Sequence, residues 1–201
     1  MIRVLVAEDQ TLVRGALVAL LAREADIEIV AEVASGDAVL SAALETRPDV
    51  ALLDIEMPGM SGIEAAGDLH AKLPGCKVLI LTTFGRPGYL RRAMEQGAVG
   101  FMVKDAPAAE LALAIRRVVA GERVVDPLLA ASALSEGDNP LSDREQAVLQ
   151  YVRQGATNAE IAATLALTEG TVRNYLSTAM QKLHATTRVE AAVRAEQKGW
   201  L

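Results

Sequence analysis

The stretch VALLDIEMPGMSG (residues 50–62) decides how the first half of this chain folds. Its apolar run, residues 50–53, is typical of a strand that is buried on both faces of a parallel sheet. The run ends in Asp54, and a segment rich in turn-forming residues follows. Because an isolated carboxylate is costly to bury, we expect Asp54 to be paired, to bind a metal ion or to react.

The sequence around this stretch alternates between strand-like and helix-like patterns. Five runs rich in β-branched residues are predicted strands, at residues 2–9, 27–33, 50–55, 77–83 and 100–105. Helix-like segments separate them and follow the last, at residues 11–23, 36–46, 62–73, 87–96 and 107–120. The alternation predicts an α/β domain over residues 1–121, with a doubly wound, five-stranded parallel sheet and helices on both faces.

Polar side chains stand where these predicted strands end. Glu8 and Asp9 end the first strand, Asp54 the third, Thr82 the fourth and Lys104 the fifth. The carboxyl ends of parallel strands share one edge of the sheet, so these groups should converge there. The carboxylates suit Mg²⁺, and a carboxylate beside a metal and a cation can act as a nucleophile toward phosphorus. The alternative is a set of acids that are merely solvated.

The alternating pattern stops at residue 122. Residues 122–139 are predicted to be a linker, with a short helix near 128–134, because they end in a polar segment containing Gly and Pro. Residues 140–201 read as helical throughout and predict an all-α, four-helix domain. Three capping boxes and one further N-cap mark the helix starts: Ser142 with Glu145, Thr157 with Glu160, Thr187 with Glu190, and Thr168.

The segment TNAEIAATLALTEGTVRNYLSTAMQKL (157–183) predicts a helix, a tight turn and a second helix over 169–183. Val172, Leu176, Met180 and Leu183 share one face of that second helix, which should pack inward. The polar residues predicted to contact DNA bases or phosphates are Thr171, Arg173, Asn174, Ser177, Thr178 and Lys182. The alternative is an ordinary amphipathic helix whose polar face is solvated.

Composition limits the possible classes of function. The single cysteine, Cys76, excludes an internal disulfide. The N-terminal residues do not resemble a signal peptide, and no run approaches the ~20 apolar residues of a membrane helix, so we expect a cytoplasmic protein with no membrane segment. The net charge of −6 is uneven, at −7 for residues 1–138 and +1 for 139–201, which argues against nonspecific nucleic-acid binding by the first part.

Four strings over residues 2–120 resemble the receiver domain of bacterial response regulators: AED (7–9), LLDIEMPGMSGIE (52–64), LTT (81–83) and VKDAP (103–107). The resemblance implies a flavodoxin-like fold in which Asp54 accepts a phosphoryl group from a sensor histidine kinase. It also implies that Mg²⁺ is bound by Asp9, Asp54 and the backbone carbonyl of Glu56, with Glu8 acting through water.

The same resemblance assigns roles to residues on the last two strands. Lys104 and Thr82 would contact the phosphoryl group, and Thr82 and Phe101 would form a switch pair. Two positions depart from the usual receiver pattern: Asp105 stands where proline commonly follows the lysine, and Phe101 replaces a commoner tyrosine.

The second half resembles the LuxR/NarL-type helix-turn-helix over residues 140–198, on the strings LSDRE, EIA, TVRNY and KL. Together the halves resemble NarL/FixJ-class response regulators, which implies a two-component transcription factor that dimerises on phosphorylation and binds double-stranded promoter DNA. The strings AEDQ, LTTFGRPGY, NPLSDRE and KGW resemble a member of the family that controls membrane-lipid genes, which implies similar targets.

Two other functions remain open on the residues alone. Asp54 and Glu56 resemble the acid pair of phosphatases with an aspartyl nucleophile, but those enzymes carry the nucleophile on the first strand and need a cap that this chain lacks. A constitutive DNA-binding protein with a degenerate receiver would not need the complete set of acids and lysine. We therefore expect a regulator and not an enzyme.

Overall fold

The computed structural model describes residues 1–83, 87–127, 129–131 and 139–201. The chain forms two compact units, one built largely from residues 1–131 and the other from residues 139–201. None of the helices in the described ranges combines the length and the apolarity that a membrane crossing requires.

A parallel sheet forms the centre of the first unit, with the strand order β2-β1-β3-β4-β5-β6 among the described residues. The strands are β1 (Ile2–Ala7), β2 (Ile27–Val33), β3 (Val50–Asp54), β4 (Lys77–Thr82), β5 (Gly100–Val103) and β6 (Val124–Val125). The first five are the predicted ones. The sixth is a correction, because Val124 and Val125 fall in the predicted linker and instead pair with Gly100 and Phe101.

The helices of the first unit follow the doubly wound pattern. They are α1 (Thr11–Leu21), α2 (Val39–Thr46), α3 (Gly62–Lys72), α4 (Pro87–Glu95) and α5 (Ala108–Val119), with a 3-10 turn at Gly36–Ala38. Helices α1 and α5 contact each other over one buried cluster, and α2 contacts α3. All five residues of β3 are buried, as expected for a central strand between β1 and β4.

Residues 139–201 fold into four helices, α6 (Asp143–Arg153), α7 (Asn158–Thr164), α8 (Glu169–Lys182) and α9 (Arg188–Gln197). Helix α8 packs against α6 and α7, and α9 packs against α6. The shared core contains Val148, Leu149, Ile161, Val172 and Ala191, all fully buried. The short helix predicted near 128–134 falls mostly outside the described residues.

The helix starts of this second unit largely follow the predicted caps. The boxes at Ser142 and Thr157 are complete, and Thr168 caps α8. At α9 the box is only half formed. Thr187 accepts from the Glu190 backbone, but the Glu190 carboxylate accepts from the backbone and hydroxyl of Thr186 instead. The adjacent threonine competes for the same carboxylate, which the spacing rule did not anticipate.

Candidate functional sites

The carboxyl ends of the strands bring the predicted acids and the lysine together. Glu8 follows β1, Asp54 ends β3 and Lys104 follows β5. Lys104 Nζ lies 2.7 Å from Glu8 Oε2 and 2.9 Å from Asp54 Oδ1. Glu8 is 1 % exposed and Asp54 4 % exposed, so a single ammonium bridges two buried carboxylates.

Asp9 adds a third carboxylate to this pocket. Glu8, Asp9 and Asp54 each offer an oxygen within 4.8 Å of the others. Asp9 Oδ1 is buried and has no hydrogen-bond partner among the described residues. When all groups are ionised, three carboxylates face one ammonium, so an orphaned oxygen and excess negative charge coincide. These features fit a hard divalent cation such as Mg²⁺, which takes carboxylate oxygens and retains water.

The ionisation of the pocket follows from its burial. Burial is the largest influence on Glu8 and raises its pKa; the charge of Asp54 adds to the rise, while Lys104 opposes it. Burial alone would lower the pKa of Lys104, but its close contacts with the carboxylates of Glu8 and Asp54 outweigh that effect and raise it. Lys104 is therefore held as a cation beside Asp54.

Gln10 and Arg14, which follow β1, hold Glu8 in place, and sequence reasoning did not single them out. The Gln10 backbone N–H donates to Glu8 Oε1 at 3.3 Å, and Arg14 Nη1 donates to the Glu8 carbonyl at 2.6 Å. Both lie at the start of α1, where the sequence predicted only a helix. The Gln10 contact spans only two residues, whereas the Arg14 contact depends on how α1 leaves the strand end.

The loop after Asp54 approaches the strand end closely. A Cβ at Gly62 would lie 1.9 Å from the Asp54 carbonyl oxygen, so only glycine fits there. Helix α3 then starts with a complete capping box between Ser61 and Glu64, which sequence reasoning read only as a turn. The Glu56 side chain is exposed in this loop, and the predicted role of its carbonyl stays a prediction.

The predicted switch residues lie on one face of the sheet. Phe101 of β5 is opposite Ile80 of β4, and Thr82 is opposite Val103, so Thr82 and Phe101 point to the same side. Both are buried, at 5 % and 0 % exposure. The Lys104 N–H donates to the Thr82 carbonyl at 2.8 Å, which ties the lysine to the threonine strand.

The second site is the polar face of α8. Val172, Leu176 and Ala179 are buried against the other helices, and the opposite face is exposed at Arg173, Asn174, Ser177 and Thr178. Thr171 is half-buried, and its hydroxyl lies 2.9 Å from that of the N-cap residue Thr168. Lys182 is exposed in part, but its ammonium donates to Glu145 on α6 at 2.7 Å.

Comparison with known protein families covers both units. Residues 4–116 match the model described as "Response regulator receiver domain", and residues 139–195 match "Bacterial regulatory proteins, luxR family". The chain belongs to the LuxR-type response regulators. Members are DNA-binding transcriptional regulators of two-component systems rather than enzymes, so the phosphatase alternative is not supported.

Individual relatives align with this chain over its full length. The transcriptional regulatory protein DesR of Bacillus subtilis is 46 % identical over 200 residues, covering 100 % of this chain and 99 % of DesR. The response regulator RamR of Streptomyces coelicolor is 41 % identical over 203 residues, covering 100 % of this chain and 98 % of RamR. The crystal structure of ChrA, from a heme-sensing two-component system, superposes with a TM-score of 0.59 at 34 % identity, covering 100 % and 98 % of the two chains.

Most residues singled out from the sequence of this response regulator lie in one of these two places. Glu8, Asp9, Asp54 and Lys104 form one pocket, with Thr82 on the neighbouring strand. The six predicted DNA contacts all lie on α8, but Lys182 differs from the others because its ammonium is paired with Glu145. Glu145 was identified from sequence only as a helix cap.

Proposed function

We propose that this response regulator is a transcription factor switched by phosphorylation of Asp54, with a sensor histidine kinase as the phosphoryl donor. The support is the pocket in which Lys104 bridges Glu8 and Asp54 while Asp9 Oδ1 has no hydrogen-bond partner in the part of the chain that the structure describes. A purely structural ion pair would not need the third carboxylate. Residues 1–121, together with the β6 strand at Val124–Val125, would serve as the receiver, the rest of 122–139 as the linker and 140–201 as the DNA-binding domain, acting in the cytoplasm.

The residues of the pocket divide the work of phosphoryl transfer. A carboxylate oxygen of Asp54 attacks the phosphorus of the kinase's phosphohistidine, and the new P–O bond forms as the P–N bond breaks and the imidazole nitrogen leaves. Lys104 neutralises the charge gathered on the phosphoryl oxygens, and the Thr82 hydroxyl donates a hydrogen bond to one of them. Asp9, Asp54 and the Glu56 carbonyl would hold Mg²⁺, with Glu8 acting through water. The bound ion supplies further neutralisation of phosphoryl charge.

The readout would run through Thr82 and Phe101. When Thr82 moves toward a phosphoryl group, space opens on the sheet face that it shares with the buried ring of Phe101. Phosphorylation matters only if it favours one of two states. We propose that the favoured state is a receiver homodimer using helices α1 and α5, whose exposed surface includes Leu12, Leu20 and Leu113.

The output would be binding of double-stranded promoter DNA through α8. Arg173 and Asn174 are the exposed side chains suited to base edges, and Thr171, Ser177, Thr178 and Lys182 are the predicted contacts that complete the set. A dimer would place two such helices on neighbouring half-sites. The resemblance to DesR supports membrane-lipid genes as the targets.

Intact mass spectrometry after incubation with acetyl phosphate and Mg²⁺ tests the central claim. Wild type should gain about 80 Da, one phosphoryl group, and Asp54→Asn should gain nothing. The labelled and unlabelled forms are then compared for dimerisation and DNA binding. An Asp54→Asn protein that gains the group would overturn the assignment. Failure of wild type to gain it with Mg²⁺ bound, from a kinase donor as well as acetyl phosphate, would favour a constitutive regulator.

A further inference from the structure

The ammonium of Lys182, in the last turn of α8, has a fixed partner within its own unit. It donates to Glu145 Oε2 at 2.7 Å. The side chain of Glu145 is 5 % exposed, whereas that of Lys182 is 35 % exposed. The lysine therefore extends from α8 toward a buried carboxylate on α6, and its charge is already matched.

Glu145 is itself held by the start of α6 and cannot follow the lysine elsewhere. The Ser142 backbone N–H donates to the same Oε2 atom at 2.7 Å, and the Glu145 N–H donates to Ser142 Oγ at 3.4 Å. Burial alone would raise the pKa of Glu145, but the hydrogen bonds from Lys182 and Ser142 outweigh it and lower it. A Lys182 turned toward a DNA phosphate would leave a buried anion without its cation.

A second cation fixes the same end of α8 from the other side. Arg194 of α9 donates to the carbonyl oxygens of Leu183 at 2.9 Å and His184 at 2.7 Å, and it also binds Glu190 at 2.6 Å. The C-terminal end of α8 is thus attached to α6 through Lys182 and to α9 through Arg194. The exposed residues from Arg173 to Thr178 lie further toward the N-terminal end of the helix.

We propose that Lys182 is a positioning residue for DNA recognition and not a phosphate contact, and that its pair with Glu145 sets the orientation in which α8 presents Arg173 and Asn174. The inference rests on the proposed DNA binding by α8. It replaces the predicted direct role of Lys182 with an indirect one and gives Glu145, a helix cap, a part in DNA affinity.

The two roles predict opposite signs for one substitution. If Lys182 bound phosphate, Glu145→Gln would remove a competing negative charge and strengthen DNA binding. If the pair positions α8, Glu145→Gln weakens binding even though it makes the protein less acidic. Lys182→Met separates the roles as well, because losing a phosphate contact reduces the salt dependence of binding, whereas losing orientation does not.

The experiment uses the full-length chain and a duplex that wild type selects from a random pool of about 30 base pairs, long enough for two half-sites. Dissociation constants are measured by fluorescence anisotropy across NaCl concentrations for wild type, Lys182→Met, Lys182→Arg, Glu145→Gln and the double variant. We expect Lys182→Met and Glu145→Gln each to weaken binding by about tenfold with an unchanged salt slope. Lys182→Arg should restore binding, and the double variant should be no weaker than the weaker single one.

Two results would overturn the proposal: a salt slope that falls by about one in Lys182→Met, or tighter binding by Glu145→Gln. Circular dichroism and Trp200 fluorescence check that each variant is folded. If Lys182→Met does not fold, Glu145→Gln still decides, because its expected sign differs between the two roles. A folded wild type that selects no duplex would instead contradict the DNA-binding function on which the proposal rests.

Discussion

Both units bury a glutamate against a lysine, and the two pairs differ in how their charges balance. In the first unit Lys104 contacts both Glu8 and Asp54, and a third carboxylate lies within 4.8 Å of them. In the second unit Lys182 pairs with one carboxylate among the described residues, that of Glu145, which also accepts from a backbone N–H. The first pocket has excess negative charge, whereas the second is matched.

This difference distinguishes a pocket suited to binding a cation from an ion pair that holds a helix in place. The pKa of Glu8 is raised, chiefly by burial, because the pocket does not fully compensate its charge. The pKa of Glu145 is lowered, because hydrogen bonds from Lys182 and Ser142 outweigh its burial. The pocket that we propose to take a cation and a phosphoryl group is thus under electrostatic strain, whereas the pair between Glu145 and Lys182 is not.

The largest effect should come from removing the only ammonium that contacts the first pocket among the described residues. Lys104→Met leaves Glu8 and Asp54 buried without a cation, which should destabilise the first unit by roughly 3–5 kcal/mol without Mg²⁺. Hydrogen exchange of the β3 and β4 amides, read by mass spectrometry in the full chain, measures this. Lys72→Met, which breaks an exposed pair with Asp68, is the matched control and should change stability by no more than about 0.5 kcal/mol.

An intermediate effect is expected from the matched pair, and it depends on pH. Glu145→Gln should destabilise the second unit by about 1–2 kcal/mol at pH 7, measured by urea unfolding followed by Trp200 fluorescence. The folded-state pKa of Glu145 lies below its ordinary value of 4.5, so its contribution to stability is present above pH 4.5 and is lost as the pH falls through the folded pKa. The gap between wild type and variant should therefore close in acid.

The exposed pair between Arg153 and Glu196 provides the control for this measurement. Glu196→Gln should change unfolding by no more than about 0.5 kcal/mol at any pH in the same range. The difference in unfolding free energy between wild type and Glu145→Gln could instead widen as the pH falls below 4.5. That result would contradict the matched-pair interpretation, because it would mean that folding favours the protonated form of Glu145.

The sequence predicted that Glu8, Asp54 and Lys104 lie together because the signal for each of them is local. Each of Glu8, Asp54 and Lys104 directly ends an apolar run, and parallel strands place such ends at one edge. The five long strands were found for the same reason. The sixth, Val124–Val125, lies in the predicted linker because the alternating pattern stops at residue 122 and a polar segment containing Gly and Pro follows. Only the pairing of these two residues with Gly100 and Phe101 makes them a strand.

The second site was harder to predict because its decisive contact is not local. Lys182 has the residue type and helix position of a DNA contact, and its partner Glu145 lies 37 residues earlier. The capping rule identified Glu145 correctly but accounted for only one of its roles. A similar limit explains the half-formed cap at α9, where Glu190 turns to Thr186 rather than Thr187. Spacing identifies suitable groups but does not choose among neighbours.

The smallest effect has the opposite sign and tests the excess charge most directly. Asp9→Asn removes a carboxylate from a pocket with too many, so it should stabilise the first unit by about 1 kcal/mol in the absence of Mg²⁺, as measured by hydrogen exchange of the β1 and β3 amides. It should also weaken Mg²⁺ binding in calorimetry, since Asp9 Oδ1 has no other partner among the described residues. If Asp9→Asn destabilised this unit instead, the pocket would be balanced like the pair of Glu145 and Lys182, and the contrast between the two units would fail. If Asp9→Asn stabilises the unit and also weakens Mg²⁺ binding, then Asp9 lowers the stability of the fold and serves to bind the cation.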